Sequence, residues 1–191
     1  MIQHTGEVRL PFYRKHGKVQ TLFTDQEFKS RMTEGHFVKP LHKAFCILLY
    51  YTGVRKSEAL RVVKEQFQVR NNFLLFDVRP RLKSGVQTPP LNIPINAPFV
   101  NLLLEAIQEK KEGEKIFPFC SKTAYNIVDR VFYYPQHFRL NRITNFFLDG
   151  FTIPQVRSWT GHKTLKGLEA YIGLVSVKKM GESLAKAKSE K

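Results

Sequence analysis

A chain of 191 residues with 31 Lys and Arg against 16 Asp and Glu carries a formal net charge of +15, which calls for a polyanionic partner, nucleic acid before an acidic membrane face. Hydrophobic residues make up 42% of it and Phe alone counts 16, enough for one packed core and too many for a disordered polycation. No apolar run reaches membrane-spanning length and no signal peptide opens the sequence, so a cytosolic or nucleoid protein acting away from membranes is expected.

Residues 1–21 are polar and basic, with YRKHGK at 13–18, and read as an N-terminal arm or linker. Thr24 stands three residues before Glu27, a capping-box spacing that starts a helix. A second helix is predicted from about Pro40 to Tyr51; it is apolar nearly all round and therefore buried. Thr52-Gly53 ends it, and RKSEALRVVKEQF (55–67) is predicted to start another. Between 71 and 95 the pattern changes to runs of Phe, Leu, Val and Ile, predicting a hairpin or small antiparallel sheet with a turn at Ser84-Gly85. Pro89-Pro90 confines that part to an edge or a bulge. Helices are predicted again at about 97–112, 121–132, 137–149, 153–159 and 164–172, and residues 176–191 form a basic tail. The fold class is α+β: mainly α with a small antiparallel β-sheet.

Several chemistries lack their signatures. Cys46 and Cys120 show no ligand spacing, and His4, His16, His36 and His42 form no HExxH pattern, so no metal is implied. The glycines form neither GxGxxG nor a P-loop, so neither ATP nor a dinucleotide is implied.

Four stretches concentrate unusual residues. In TGVRKSEAL (52–60), Arg55 opens a helix and Glu58, three residues on, can hold its guanidinium, either as a structural pair or to aim it at a phosphate. In RLKSGV (81–86), Lys83 lies beside a tight turn, a projecting cation or an ordinary surface lysine. In YPQHFRLNRITNFFLDG (134–150), Gln136 and Arg139 share one helix face near its start, a basic solvated face or an anion site. In SWTGHKTLKGLEAYIG (158–173), Gly161-His162 precede Tyr171 by a fixed nine residues counted from the histidine.

Together these stretches resemble the tyrosine recombinase family, the phage-type integrases. The first family motif, TG-x-R-x-x-E, is met by Thr52, Gly53, Arg55 and Glu58. The hairpin lysine is met by Lys83-Ser84-Gly85; the P-H-x-L-R helix by Pro135, Phe138, Arg139 and Gly150; the L-G-H to tyrosine interval by Gly161, His162 and Tyr171. The resemblance covers residues 22–175, which it marks as a catalytic domain. The chain departs from the pattern at Gln136, where His or Lys is usual, leaving Gln136 or its neighbour His137 for that place. It departs again at Thr160, in place of Leu, and at Gly167-Leu168, in place of Thr-Thr.

The resemblance implies a site-specific recombinase that cleaves and rejoins double-stranded DNA through a 3′-phosphotyrosine, without metal or ATP. Tyr171 would be the nucleophile, Arg55 and Arg139 the phosphate forks, His162 a donor, Lys83 the general acid, and Gln136 or His137 a further hydrogen-bonding group. Glu58 would support Arg55, and Arg81 and Lys163 would contact DNA. It further implies a homo-oligomer, a tetramer on DNA with a monomer possible in solution, docking through 176–191, in a prokaryotic host carrying a mobile element, virus or plasmid. Type IB topoisomerases and telomere resolvases share this chemistry, and the departure at Gln136 keeps open a DNA-binding protein of the same fold with impaired catalysis.

Overall fold

The computed structural model describes residues 11–15, 18–77, 90–162, 164, 167–169, 171–173 and 175–176. Within the stretch read as an arm, β1 (Pro11–Lys15) and β2 (Lys18–Thr21) pair as an antiparallel hairpin, with its register shifted between Phe12 and Arg14. Helix α1 (Asp25–Glu34) starts as its capping box requires: Glu27 N–H donates to Thr24 Oγ1 at 3.1 Å, and Thr24 N–H donates to Glu27 Oε2 at 2.8 Å.

Helix α2 (Pro40–Thr52) is the axis of the molecule. Its centre, Ala44 to Leu49, is fully buried, because α4 (Val100–Gln108) and α6 (Pro135–Leu148) pack along it. Proline opens α2 and α6 at the first helical position, where a missing N–H costs nothing.

The helix predicted over 55–67 is corrected by the structure: α3 covers only Lys56–Ala59. The β-branched pair Val62-Val63 is extended instead. Val62 accepts a hydrogen bond from Ile116 N–H at 3.0 Å, and Val63 bridges Lys115. A single 3-10 turn at Lys64–Gln66 then leads into β3 (Phe67–Arg70). Pairing with a distant segment here overrides local helix preference.

Strands β3, β4 (Phe73–Phe76) and β5 (Leu91–Pro94) form an antiparallel sheet in the order β3-β4-β5. The β3–β4 turn is Asn71-Asn72, with φ of 49° and 62°, which suits the twist of a two-residue hairpin and which asparagine tolerates. The Ser84-Gly85 turn expected in this region lies outside the described residues. β5 lies at one edge of this sheet, a place that suits Pro94, which has no N–H to donate; Pro89 lies outside the described residues. The buried sheet face presents Leu74, Phe76, Leu91 and Ile93 to the core, with Phe67 stacked on Phe76 at 4.5 Å between ring centroids. Helices α5 (Ser121–Val131) and α7 (Ile153–Thr160) complete the set, followed by helical backbone at 167–169, 171–173 and 175–176. Phe99, at φ 64°, delays α4 to Val100. Among the described residues no helix is long and apolar enough to cross a membrane.

The main core joins α1, α2, the three-stranded sheet, α4, α5 and Phe138 of α6. A second, smaller cluster consists of Ile143, Phe146, Phe147, Val156, Leu168 and Val175, and Trp159 packs against both.

Two tyrosines at the end of α2 give the fold an alkaline limit. Tyr50 lies flat on Phe28, 3.6 Å between centroids, and its hydroxyl donates to Asp25 Oδ1. Tyr51 donates to Pro98 O at 3.1 Å. Burial, then the Asp25 hydrogen bond, lifts the Tyr50 phenol above its ordinary 10.0. Burial, then the Asp25 charge, pushes Tyr51 up to about 12 against the pull of Arg142. Folded-state values above the unfolded ones stabilise the fold fully below the unfolded pKa, and that contribution is lost as pH rises towards the folded values. The melting temperature is therefore expected to hold up to a pH of about 10 and fall beyond it. Tyr51→Phe should flatten the fall between about 10 and 12; an unchanged alkaline limb would refute the assignment.

Candidate active site

The site begins where α2 stops. Gly53 caps the helix in the left-handed region (φ 63°), its N–H donating to Leu49 O at 2.9 Å. A Cβ there would stand 3.0 Å from Arg142 Cβ and 3.6 Å from Arg139 Cα. Conformation and proximity to α6 thus both demand glycine. Gly53→Ala is expected to lower stability by about 1–2 kcal/mol from the backbone alone, read as a shift in denaturant midpoint. An unchanged midpoint would refute the left-handed cap as a source of strain at this position.

Immediately after this cap, Arg55 precedes α3 as its N-cap. Its N–H donates to Glu58 Oε2 at 2.7 Å, and its Nη1 to Glu58 Oε1 at 2.9 Å. The Arg55 side chain is 45% exposed, so the pair presents an oriented guanidinium to solvent. Lys56 turns the other way, its Nζ donating to Ser121 O and Oγ and tying α3 to α5.

Arg139 is the knot of the site. It is 2% exposed; Nη1 donates to Gly53 O at 2.9 Å and Nη2 to Thr160 O at 2.7 Å. One guanidinium on α6 therefore fixes both the segment before Arg55 and the segment before His162. Both carbonyls belong to the residues that end helices, where C=O groups lack intrahelical partners and a planar cation satisfies them.

Gly161, at φ 65°, closes α7 and turns the chain towards His162. His162 Nδ1 lies 2.6 Å from Thr160 Oγ1, and the His162 carbonyl accepts from Arg157 Nε at 3.1 Å. On the opposite edge of the ring stands Gly167, where a Cβ would come within 3.0 Å of His162 Cδ2. The imidazole is thus held on both edges.

Tyr171 faces His162 with 6.0 Å between ring centroids. It belongs to an apolar stripe at helical spacing: Leu168 and Val175 are buried in the second cluster, with Tyr171 and Ile172 packed against it. Burial raises the Tyr171 phenol above its ordinary value, while the charges of Arg139 and then Arg55 pull it down. Both arginines therefore act electrostatically on this hydroxyl.

Of the residues singled out in the sequence, Arg55, Glu58, Arg139, His162 and Tyr171 come together here. Lys83, Arg81 and Lys163 lie outside the described residues. Gln136 is exposed in the first turn of α6, one helical turn before Arg139. His137 is fully buried in an aromatic box, with centroids 5.1 Å from Phe23, 5.0 Å from Tyr133 and 5.6 Å from Tyr134. Among the described residues no group of three or more His, Cys, Asp or Glu side chains is placed to hold a metal ion.

Sequence reasoning misses two contributors. Thr160 reads there only as a departure from leucine, although a hydroxyl two residues before a histidine is a signal for a local side-chain hydrogen bond. Leu168 reads only as a missing threonine, although its spacing of three from Tyr171 and seven from Val175 marks it as the buried anchor of that helical segment.

No protein-family model and no curated protein matches this sequence. Solved structures do match. The chain superposes on the XerH site-specific recombinase bound to palindromic difH substrate, a post-cleavage complex, with a TM-score of 0.63 at 15% identity, covering 95% of this chain and 57% of that one. On the XerA recombinase the TM-score is 0.59 at 15% identity, covering 81% and 60%. On the Tn1549 transposon integrase in complex with transposon right end DNA it is 0.59 at 15% identity, covering 83% and 63%. The chain spans only 57–63% of the length of these three proteins. The mainly helical body with its three-stranded antiparallel sheet is the arrangement of their catalytic domains: the chain has the tyrosine recombinase fold.

Proposed function

We propose that this chain is the strand-cleaving and rejoining domain of a site-specific DNA recombinase or integrase. The observation that carries the reading is the Arg139 knot. One guanidinium ties the carbonyls of Gly53 and Thr160, two residues before Arg55 and His162 respectively, while Tyr171 faces His162 and feels the charges of Arg139 and Arg55.

The chemistry follows from what each group can do. The Tyr171 oxygen attacks a DNA phosphorus, an O–P bond to the phenol forms, and the bond to the 5′-oxygen breaks. The phenol loses its proton, and the leaving 5′-oxygen takes one from Lys83, leaving a 3′-phosphotyrosine and a free 5′-hydroxyl. A 5′-hydroxyl from a partner strand reverses the step, so phosphodiester energy is conserved. A phenol is a poor nucleophile near neutral pH; burial raises the Tyr171 phenol further, and the charges of Arg139 and then Arg55 oppose that rise. Arg55 and Arg139 stabilise charge gathering on the non-bridging oxygens, and His162 donates to one of them. Gln136, exposed on the same helix, supplies a neutral hydrogen bond at the place where family members carry His or Lys. The net charge of +15 tracks the duplex backbone without reading sequence.

DNA is accordingly the partner, contacted also through Arg81 and Lys163. Residues 176–191 dock on a neighbouring subunit within a tetramer on DNA, in the nucleoid of a prokaryote carrying a mobile element.

The test is a nicked suicide duplex incubated with the protein in EDTA and without ATP. A denaturation-resistant protein–DNA adduct is expected. Activity lost in EDTA and restored by added Mg²⁺ would overturn the metal-independent route, and relaxation of supercoils without strand exchange would move the reading to a type IB topoisomerase. One observation favours a second reading, a DNA-binding protein of this fold that does not cleave: Arg139 is 2% exposed with both terminal nitrogens on backbone carbonyls. Tight duplex binding by the wild type with no adduct would establish it.

A further inference from the structure

The geometry points to Thr160 as a positioning residue that fixes which nitrogen of His162 carries its proton, so that the substrate-facing chemistry of this histidine is confined to Nε2. The inference deepens the reading of His162 given above and rests on it.

Hydrogen counting at one hydroxyl decides the tautomer. Thr160 is buried, 5% exposed, and its Oγ1 makes two short contacts: 2.6 Å to Val156 O and 2.6 Å to His162 Nδ1. A carbonyl oxygen can only accept. The single hydroxyl hydrogen of Thr160 is therefore committed to Val156 O, and the hydroxyl oxygen can only accept from the imidazole. Hence Nδ1 bears a hydrogen whether the ring is neutral or charged. In the neutral ring Nε2 is then an acceptor; in the protonated ring it is a donor, and it is this charged ring, oriented by Thr160, that donates to the phosphate oxygen. A change of protonation takes place at Nε2 alone.

The surroundings keep this choice from being undone by a ring flip. Gly167 packs against the Cδ2 edge so closely that a Cβ there would stand 3.0 Å away. The His162 carbonyl is held by Arg157 Nε, and the backbone of Thr160 itself is held by Arg139 Nη2. Tyr171 lies across the ring at 6.0 Å between centroids. Threonine suits this position because its carbonyl serves the arginine while its hydroxyl serves the histidine. One residue thereby couples two groups of the site.

Thr160→Val removes the hydroxyl, keeps the shape and leaves the carbonyl for Arg139; Thr160→Ser restores the hydroxyl and serves as the conservative rescue. The imidazole tautomer is read by nitrogen NMR of the full chain at a pH about two units above the ordinary histidine value of ~6.5, with the His162 signals assigned by their loss in His162→Gln. Wild type and Thr160→Ser are expected to show hydrogen on Nδ1, and Thr160→Val to shift population to hydrogen on Nε2. Adduct formation on the suicide duplex is expected to slow roughly 10- to 100-fold in Thr160→Val, by analogy with the loss of orienting partners behind metal-bound histidines, with duplex affinity unchanged and with recovery in Thr160→Ser. A wild-type ring with no hydrogen on Nδ1, or a Thr160→Val ring that keeps it there, overturns the inference. A tautomer shift with unchanged cleavage overturns its catalytic part. If the wild type forms no adduct at all, the recombinase reading falls, and the tautomer measurement still decides the role of Thr160.

Discussion

Tyr171→Phe is expected to abolish the covalent adduct on a nicked suicide duplex while leaving duplex binding within ~1 kcal/mol of the wild type, the worth of one hydrogen bond. The substitution removes only the phenol oxygen proposed to attack. The ring keeps its packing beside Leu168, Ile172 and Val175, so the helical segment should stay docked on the second cluster. Persistence of the adduct in the Phe variant would disqualify Tyr171. Attention would then move to Tyr125, beside Lys56 on the α5 side, or to Tyr133 and Tyr134, which flank His137. Tyr171 comes before these three because its hydroxyl stands in the field of both Arg139 and Arg55.

The second large effect belongs to the arginines, and its form separates them. Arg139→Ala should slow adduct formation by on the order of 10²-fold or more, about 3 kcal/mol, the loss seen for one preorganised donor. It should also destabilise the fold, because two charge-assisted hydrogen bonds of roughly 1.5–3 kcal/mol each are lost and two buried carbonyls are left behind. Arg55→Ala should slow the chemistry on the same scale yet barely move the denaturation midpoint, since its pair with Glu58 is solvent-exposed and such pairs contribute ~0–1 kcal/mol. Arg139→Lys retains the charge but cannot reach both carbonyls in a plane, so it should recover little stability. The measurements are adduct rate, duplex affinity and unfolding midpoint for each variant. If cleavage and binding fall equally in both alanine variants, the arginines are backbone clamps and not transition-state donors. If Arg139→Ala leaves the midpoint unmoved, the knot carries no structural load.

Elements with strong local signals are legible from sequence. The Thr24–Glu27 capping box, the all-round apolar Pro40–Thr52 segment and the glycine stop at 53 each state their structure within a few residues. The candidate site groups Arg55, Arg139, His162 and Tyr171 are legible only through the resemblance of their motifs to a known family, since each alone reads equally as a structural residue. The misreading at 55–67 has a different cause. RKSEALRVVKEQF is helical by propensity, but Val62-Val63 is drawn into pairing with residues 115–116, a partner invisible to any local window. The Asn71-Asn72 turn is hidden because Ser-Gly is the stronger breaker by composition. What no pattern can supply is the way the side chains interlock. That Arg139 reaches two helix-ending carbonyls, or that Thr160 has its hydroxyl hydrogen already committed, depends on the relative placement of α2, α6 and α7.

The bonds of Arg139 also bear on the order in which this protein becomes competent. Its two carbonyl partners lie 86 residues upstream and 21 residues downstream. The longer contact closes a large chain loop, whose entropy must be met before the contact returns anything. During synthesis Gly53 leaves the ribosome long before Thr160, so α2 can be complete while the guanidinium still lacks its second anchor. Assembly of the site is therefore a late folding event. Substitutions at Arg139 should speed unfolding and leave the folding rate nearly untouched. On the proposed function, a nascent or partly folded chain with a net charge of +15 would meet DNA before it could hold a nucleophile and a phosphate in line.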